Sequence, residues 1–478
     1  MKIVLVNPPS LSMRYNRFNA GIPYLTSFLK SKSMFVEVVD FGQAAYRECV
    51  DRIVRSKPEA VGFSVNSYTT GLREILSDIR GRIRPFFIAG GPAPTLYEED
   101  FLSRYPDLDC ITLGESEETL WEIFRVLEKS KDPMPDLLQV KGLILNHRGE
   151  RIRTPVRSFG IDLNSMPFPD YAPETLSRLN YYPLLTSRGC DSHCVFCPNR
   201  ALHGFTWRAR SVENVVSEIE KVIRDHSLNR FFILDDSFNL DLERAKNILR
   251  EVLKRKIRIQ YSFCSGLQIR SIDAEFLDLL KKSGCAKIGF GIETADPESA
   301  GRLGKGLSLD MIKTRIDLTV KSGFRPEVYM IVGLIGATVS SERRSLSFIK
   351  GLNVLARWFI AQPYPKTPLY DWVARHGRFF DPPDLGEGVW NGRPPLFFET
   401  PEFTKEDMLR TYYHANSETD NYLFLCSGNN PLILFLTGLF RVIRYNPRRT
   451  LGFLVWAIKG VMNPTKYVYN EHWVKEEG

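Results

Sequence analysis

The sequence has little of several things. Over 478 residues there is no apolar run approaching the ~20 residues a helix needs to cross a bilayer, which argues against a helical membrane-spanning protein. The first apolar run, residues 3–6, stops at Asn7-Pro8-Pro9 and is too short for the core of a secretory leader. No internal repeat or low-complexity tract is evident. The net charge is +8, but no compact basic motif with interleaved aromatics accompanies it, so a nucleic-acid partner is not expected. Histidine is scarce, with seven residues and none before His147. Of eight cysteines, five (Cys49, Cys110, Cys264, Cys285, Cys426) are scattered. That scatter suits a reducing, cytoplasmic compartment and argues against a disulfide framework. Cys264 and Cys285 read as core thiols.

The other three cysteines form one group. Cys190, Cys194 and Cys197 stand in C-x3-C-x2-C spacing within the run Arg188 to Pro198. Three thiolates can hold three irons of a [4Fe–4S] cluster and leave the fourth bare. A ferredoxin-type site closes all four positions and only moves electrons, whereas an open iron can bind and polarise a small molecule. A structural zinc site wants four ligands, usually in paired knuckles. His193 or His203 could supply a fourth, yet the spacing fits no common knuckle.

With Phe196 directly before the third cysteine, this pattern resembles the signature of the radical S-adenosylmethionine (radical SAM) enzymes. The resemblance implies that Cys190, Cys194 and Cys197 ligate the cluster and that Phe196 lies near the adenine of S-adenosylmethionine. It also implies that the cofactor's amino and carboxylate groups chelate the open iron. One electron, from a donor such as a flavodoxin or ferredoxin, would then cleave the sulfonium to a 5′-deoxyadenosyl radical.

Residues 1–135 alternate short apolar runs (2–7, 35–40, 60–65, 85–89, 110–113) with helical patterns such as 71–83 and 117–129. That rhythm predicts an α/β domain with a doubly wound, Rossmann-like parallel sheet. Ligands of such sheets bind at the carboxyl ends of the strands. Small or polar residues fall there: Asn7-Pro8-Pro9, residues 64–67, Gly90-Gly91-Pro92 and Gly114-Glu115. Singly, each is only a strand-to-helix turn. In order, they resemble the cobalamin-binding domain that precedes many radical SAM enzymes, which implies cobalamin contacts at Ser64, Gly90, Gly91, Gly114 and Glu115. The D-x-H-x-x-G motif of another cobalamin-domain type is absent. A cobalamin here is therefore expected to have a lower face free of any histidine of this domain. The competing reading is a relic sheet that binds nothing.

Residues 136–180 read as a hairpin (141–145 and 151–155 around a polar glycine turn) followed by a proline-punctuated linker. From residue 181 to 378 the strand–helix rhythm resumes, with strands expected at 183–187, 230–234, 257–263, 286–291, 326–332 and 357–362. Six such units suggest a partial (β/α)6, TIM-like barrel, whose active groups gather at the carboxyl-end loops. The resemblance assigns Asp235 and Glu293 to S-adenosylmethionine. Asp236 is the alternative inward-facing residue, because register is not fixed by sequence. Two departures from the family pattern stand out. Gly333-Leu334-Ile335-Gly336-Ala337-Thr338 lacks the acid of the usual G-L-P-G-E-T, and Lys366 replaces the glycine of P-Y-P-G-T-P-L-Y.

Residues 379–478 read as a mainly helical region: a turn-rich loop at 390–395, a helix at 404–418, and two apolar stretches, 431–440 and 451–462, near Arg441, Arg444, Arg448, Arg449, Trp456 and Lys459. These stretches pack as a cap over the barrel mouth or lie in the inner membrane interface. The second reading implies a lipid-like substrate. The resemblance as a whole implies cobalamin-dependent methyl transfer to an unactivated carbon of a small or lipid-like molecule. Its rivals are a radical cyclase, carbon–carbon coupling enzyme or oxidoreductase that does not methylate, and a non-catalytic sensor.

Overall fold

Runs rich in Val, Ile and Phe become parallel strands because their side chains are buried on both faces of a sheet. In the computed structural model, which describes residues 1–10, 19–42, 44–67, 69–380, 396–426 and 431–462, the first five are β1 (Lys2–Asn7), β2 (Phe35–Asp40), β3 (Ala60–Ser64), β4 (Phe86–Gly90) and β5 (Cys110–Thr112). The loop expected at 390–395 and the sequence after residue 462 lie outside the described residues. The five strands stand in the order β2-β1-β3-β4-β5, all parallel. One face packs Ile53, Ile75, Ile79 and Phe101 against the sheet. The other packs Leu29, Ile123 and Phe124. Strand order reverses between β1 and β3, the point where such sheets open a ligand crevice.

The hairpin expected between the domains does not stand apart. β6 (Leu143–His147) and β7 (Glu150–Arg153) turn through Arg148 (φ 52°) and Gly149 (φ 86°), the paired left-handed residues of a tight hairpin. β6 then pairs antiparallel with β5, so the sheet has seven strands. The outer edge of β5 would otherwise present unpaired N–H and C=O groups. The fold separates into two compact units. The first holds Met1–Leu179 together with Pro198–Thr206; the second takes Asn180–Cys197 and the described residues from Trp207 on.

In the second unit, β8 (Tyr182–Leu184), β9 (Arg230–Ile233) and β10 (Gln260–Phe263) form one parallel sheet. β11 (Gly289–Glu293), β12 (Glu327–Val332) and β13 (Leu355–Ile360) form another. Parallel bridges Tyr261↔Cys285 and Leu267↔Phe290 join the two. The six strands therefore run side by side in chain order, as a partial barrel requires. The helices between them start at side-chain caps: Ser211 accepts from Asn214 N–H, Asp241 from Arg244 N–H and Asp273 from Phe276 N–H. Each satisfies a donor the helix cannot satisfy itself. Helices Lys405–Glu418, Pro431–Tyr445 and Thr450–Met462 follow, and share a core of Tyr412, Tyr413, Tyr422, Leu425, Val442 and Phe453.

Candidate functional site: a clamped cysteine loop and a sheet crevice

The cysteine loop leaves the barrel just past the carboxyl end of β8. Its entrance is framed by two short antiparallel strands, Ser187–Arg188 and Arg208–Ala209. Gly189 (φ 85°) starts the turn and gives its N–H to Asp236 at 3.1 Å. Within the loop Cys197 N–H reaches Cys194 O at 3.1 Å, Val195 N–H reaches Leu303 O at 3.2 Å, and Leu369 N–H reaches Val195 O at 2.9 Å. Gly304 (φ +77°) lies so close that a Cβ there would sit 2.5 Å from the His193 carbonyl. Backbone from two other segments thus clamps the loop. None of the three thiols is in a disulfide, and all are partly exposed. Among the described residues no three His, Cys, Asp or Glu side chains are gathered to hold a single metal ion. A cuboidal cluster makes a different demand, because each thiolate binds its own iron and the sulfurs need not meet at one point. The donor set, three partly exposed thiols on one clamped loop, fits such a cluster.

Polar groups surround the thiols. Gln268 Nε2 lies 3.6 Å from Cys190 Sγ and 2.8 Å from Ser237 Oγ, with its backbone held by buried Asn239 at 2.8 Å. Burial pushes the Cys194 thiol up to about 11, with Lys305 pulling the other way. Burial would also lower the Lys305 pKa, but the charges of Glu293, Cys194 and Cys190 outweigh it and hold the ammonium above its ordinary value. Lys305 Nζ donates to Glu293 Oε1 at 2.7 Å and to Gly291 O at 2.6 Å.

Glu293 ends β11 in a left-handed conformation (φ 69°) beside a register shift. A non-glycine residue held there is the kind of strain that collects at functional sites. Its carboxylate is near the thiols and paired with Lys305. Asp235 is different. It is 2% exposed and accepts from Thr186 N–H (2.6 Å), Thr186 Oγ1 (2.5 Å) and Ser187 Oγ (2.6 Å). Its acceptor capacity is spent on the strand that leads into the cysteine loop, and the exposed member of the pair is Asp236. Asp235 therefore acts as a brace for Thr186 and Ser187. Phe196 is half-buried on the loop.

In the first unit, Ser64, Gly90, Gly91, Gly114 and Glu115 lie at or just beyond the carboxyl ends of β3, β4 and β5. Ser64 pairs with Gly90 across β3 and β4, and Ser64 Oγ accepts from Asn19 Nδ2 at 2.8 Å. The glycines are tight against protein atoms: a Cβ would meet Thr112 Oγ1 at 2.4 Å from Gly90, Val65 O at 2.8 Å from Gly91, and Phe159 at 2.8 Å from Gly114. Glu115 Oε1 lies 3.1 Å from His203 Nδ1. Both His203, in Pro198–Thr206, and His147, in β6, belong to this unit. Residues 1–135 hold no histidine; the unit contains these two imidazoles because later segments of the chain join the first fold. Separately, a groove of about 620 Å³, lined by Pro9, Tyr46, Gly71, Arg73, Glu74 and Asp78 among others, opens where the chain leaves β1 and β3. That is the reversal point of the sheet, between β1 and β3. None of the five sequence-selected residues lines this groove.

Lys305 and Gln268 escaped the sequence reading. The run Leu303-Gly304-Lys305-Gly306 looks like a turn, and its one legible signal is a lone cation between two glycines shortly after Glu293.

Comparison with known proteins adds to this geometry. The radical SAM superfamily matches residues 184–349, and the B12 binding domain matches residues 11–124. An uncharacterized methyltransferase of Pyrococcus horikoshii is 28% identical over 397 residues, 78% of this chain and 83% of its own length. The cytidylyl-2-hydroxyethylphosphonate methyltransferase of Streptomyces wedmorensis is 23% identical over 446 residues, 80% of this chain and 83% of its own. In fold, the chain is similar to the radical S-adenosylmethionine methyltransferase TsrM from Kitasatospora setae, solved with cobalamin and a [4Fe-4S] cluster bound. That likeness has a TM-score of 0.73 at 19% identity and covers 96% of this chain and 99% of that one.

Proposed function

Because the chain belongs to the radical SAM superfamily and carries a B12 binding domain ahead of its radical SAM domain, we propose that it is a cobalamin-dependent radical methyltransferase. It acts on an unactivated carbon of a small or lipid-like molecule. The observation that carries this reading is the clamped loop bearing Cys190, Cys194 and Cys197 at the carboxyl end of a partial barrel. When bound, a [4Fe–4S] cluster with one open iron supplies reductive cleavage of S-adenosylmethionine, and cobalamin supplies the carried methyl group.

The chain's own residues hold and orient. Cys190, Cys194 and Cys197 ligate the cluster, and Gln268 offers a donor to Cys190. Hydrogen bonds of that kind tune such centres. Glu293 and Lys305 present a fixed pair of charges beside the thiols, suited to the ammonium and carboxylate of an amino acid. Asp235 braces the loop's entrance, and Phe196 offers a ring to the adenine. Ser64, Gly90, Gly91, Gly114 and Glu115 form the cobalamin-facing edge of the first unit. At that edge His203 stands beside Glu115 and would help orient its carboxylate. The electron comes from a donor such as a flavodoxin or ferredoxin. The enzyme works in the cytoplasm, with a peripheral seat on the inner face of the membrane.

The test is anaerobic reconstitution with iron, sulfide and cobalamin, then incubation with methyl-labelled S-adenosylmethionine and a reductant. The wild type is expected to release 5′-deoxyadenosine and to pass label to a substrate. Cys194→Ala should abolish 5′-deoxyadenosine while leaving cobalamin absorbance in the protein. Cleavage retained in that variant would sink the cluster assignment, and 5′-deoxyadenosine without label transfer would favour a non-methylating radical enzyme.

A further inference from the structure

The last two described helices are amphipathic in an unusual sense. Their inner faces rest on one core: Leu434, Phe435, Leu439, Val442 and Tyr445 from the first, Phe453, Leu454 and Ala457 from the second. Their outer faces are also apolar. Leu432 (66% exposed), Leu436 (53%), Phe440 (61%) and Ile443 (53%) follow one stripe, and Leu451 (73%), Val455 (45%) and Ile458 (61%) another. Spacings of three and four residues put each set on one side of its helix. Because both inner faces meet the same core, both stripes point away from it. Of 13 large apolar residues exposed among the described residues, eight lie on these helices, Ile433 being the eighth. A polar outer face is the rule for a surface helix, and a contiguous exposed apolar patch marks a binding surface.

Charge identifies the occupant. Residues 421–470 contain four arginines and two lysines and no acidic residue. Arg441 is spent internally on the Leu425 carbonyl at 2.8 Å. Arg444 and Arg448 are exposed beside the stripes, Arg444 with Glu406 at 3.6 Å. No described helix is long and apolar enough to cross a membrane. We propose that this helix pair docks on an anionic lipid surface, its apolar stripes entering the acyl boundary and its arginines meeting lipid phosphates. The inference deepens the peripheral seat proposed above and rests on it, but it needs no particular substrate. A second copy of the chain would cover the stripes equally well, yet would gain nothing from a stretch, residues 421–470, in which every charged residue is basic and so repels its own like.

The test is co-sedimentation of the full-length protein with vesicles of phosphatidylcholine alone or mixed in equal parts with phosphatidylglycerol. The wild type should bind the mixed vesicles, and less so in high salt. Leu436→Ser/Phe440→Ser/Val455→Ser should weaken that partition by about tenfold or more. Arg444→Glu/Arg448→Glu should erase the preference for phosphatidylglycerol, since each arginine near such a surface is worth about fivefold. Both variants should keep the wild-type melting temperature and 5′-deoxyadenosine yield, which separates a failure here from a failure of the radical chemistry. Unchanged partition of the apolar variant would overturn the proposal. So would a wild type that ignores both vesicles and is a dimer by light scattering that the apolar variant dissolves.

Discussion

Glu342 is a buried carboxyl with one oxygen engaged, accepting Gly333 N–H at 3.0 Å, while its Oε2 meets no partner. It sits nine residues past Gly333, in the first turn of a helix, and so supplies an acid to the glycine run whose own sequence lacks one. Burial drives its pKa up to about 8, with nearby Asp296 adding to the effect. The unfolded chain releases this proton near the ordinary glutamate value, but the folded chain keeps it until about pH 8. The stabilisation is therefore complete below the unfolded value and fades as pH climbs toward 8, at about 1.4 kcal/mol per unit. Glu342→Gln keeps the acceptor for Gly333 and removes the ionisation. Its melting temperature should gain on the wild type steadily from pH 5 to pH 8, and a constant difference over that series would mean the carboxyl ionises freely. Lys305 and Glu293 form a second test at this scale, being 18% and 10% exposed at the side chain. Lys305→Met strands a carboxylate and should cost about 3–5 kcal/mol in urea melts. Adding Glu293→Gln should return most of that loss.

At the scale of elements, the clamp on the cysteine loop depends on a close backbone approach. Gly304→Ala would strain a left-handed residue and press a methyl group into the His193 carbonyl. The loop should shift, and iron content after reconstitution should fall by more than half relative to the wild type, measured together with circular dichroism to verify the fold. Elements also show where sequence reading succeeds. β1 and β2 and the helix Glu117–Lys129 fall on the residues their patterns predict, because local periodicity alone determines which face is buried. The hairpin β6–β7 was legible as a hairpin, but its place beside β5 was not, since edge pairing is decided by a partner some 30 residues away. The Asp235–Asp236 pair stays open at the level of sequence for a related reason. Alternation says the two point apart, and only the position of Thr186 and Ser187 decides which one is buried. The strained ending of β11 leaves no trace in composition either, because a left-handed glutamate is imposed by its surroundings.

At the scale of the whole molecule, the C-terminal helices are part of the second unit's core. Removing residues 431–478 would uncover Tyr412, Tyr413, Tyr422 and Leu425, which are 4%, 3%, 2% and 0% exposed. Such a truncation should be largely insoluble, judged by the soluble fraction after lysis, whereas the surface substitutions at Leu436, Phe440 and Val455 should be fully soluble. Substrate questions about this region are therefore better asked with point variants than with deletions. The order in which the chain visits its two units has a further bearing. It leaves the first at Leu179, runs through the three cysteines in the second, returns for Pro198–Thr206, and leaves again. Over evolutionary time, a single recombination breakpoint could not trade one front module for another cleanly, because it would orphan the short returning stretch that carries His203. Inheritance of the two modules as a pair is then the expected genetic record, and lineages that exchanged one should bear rewritten residues between the third cysteine and Trp207.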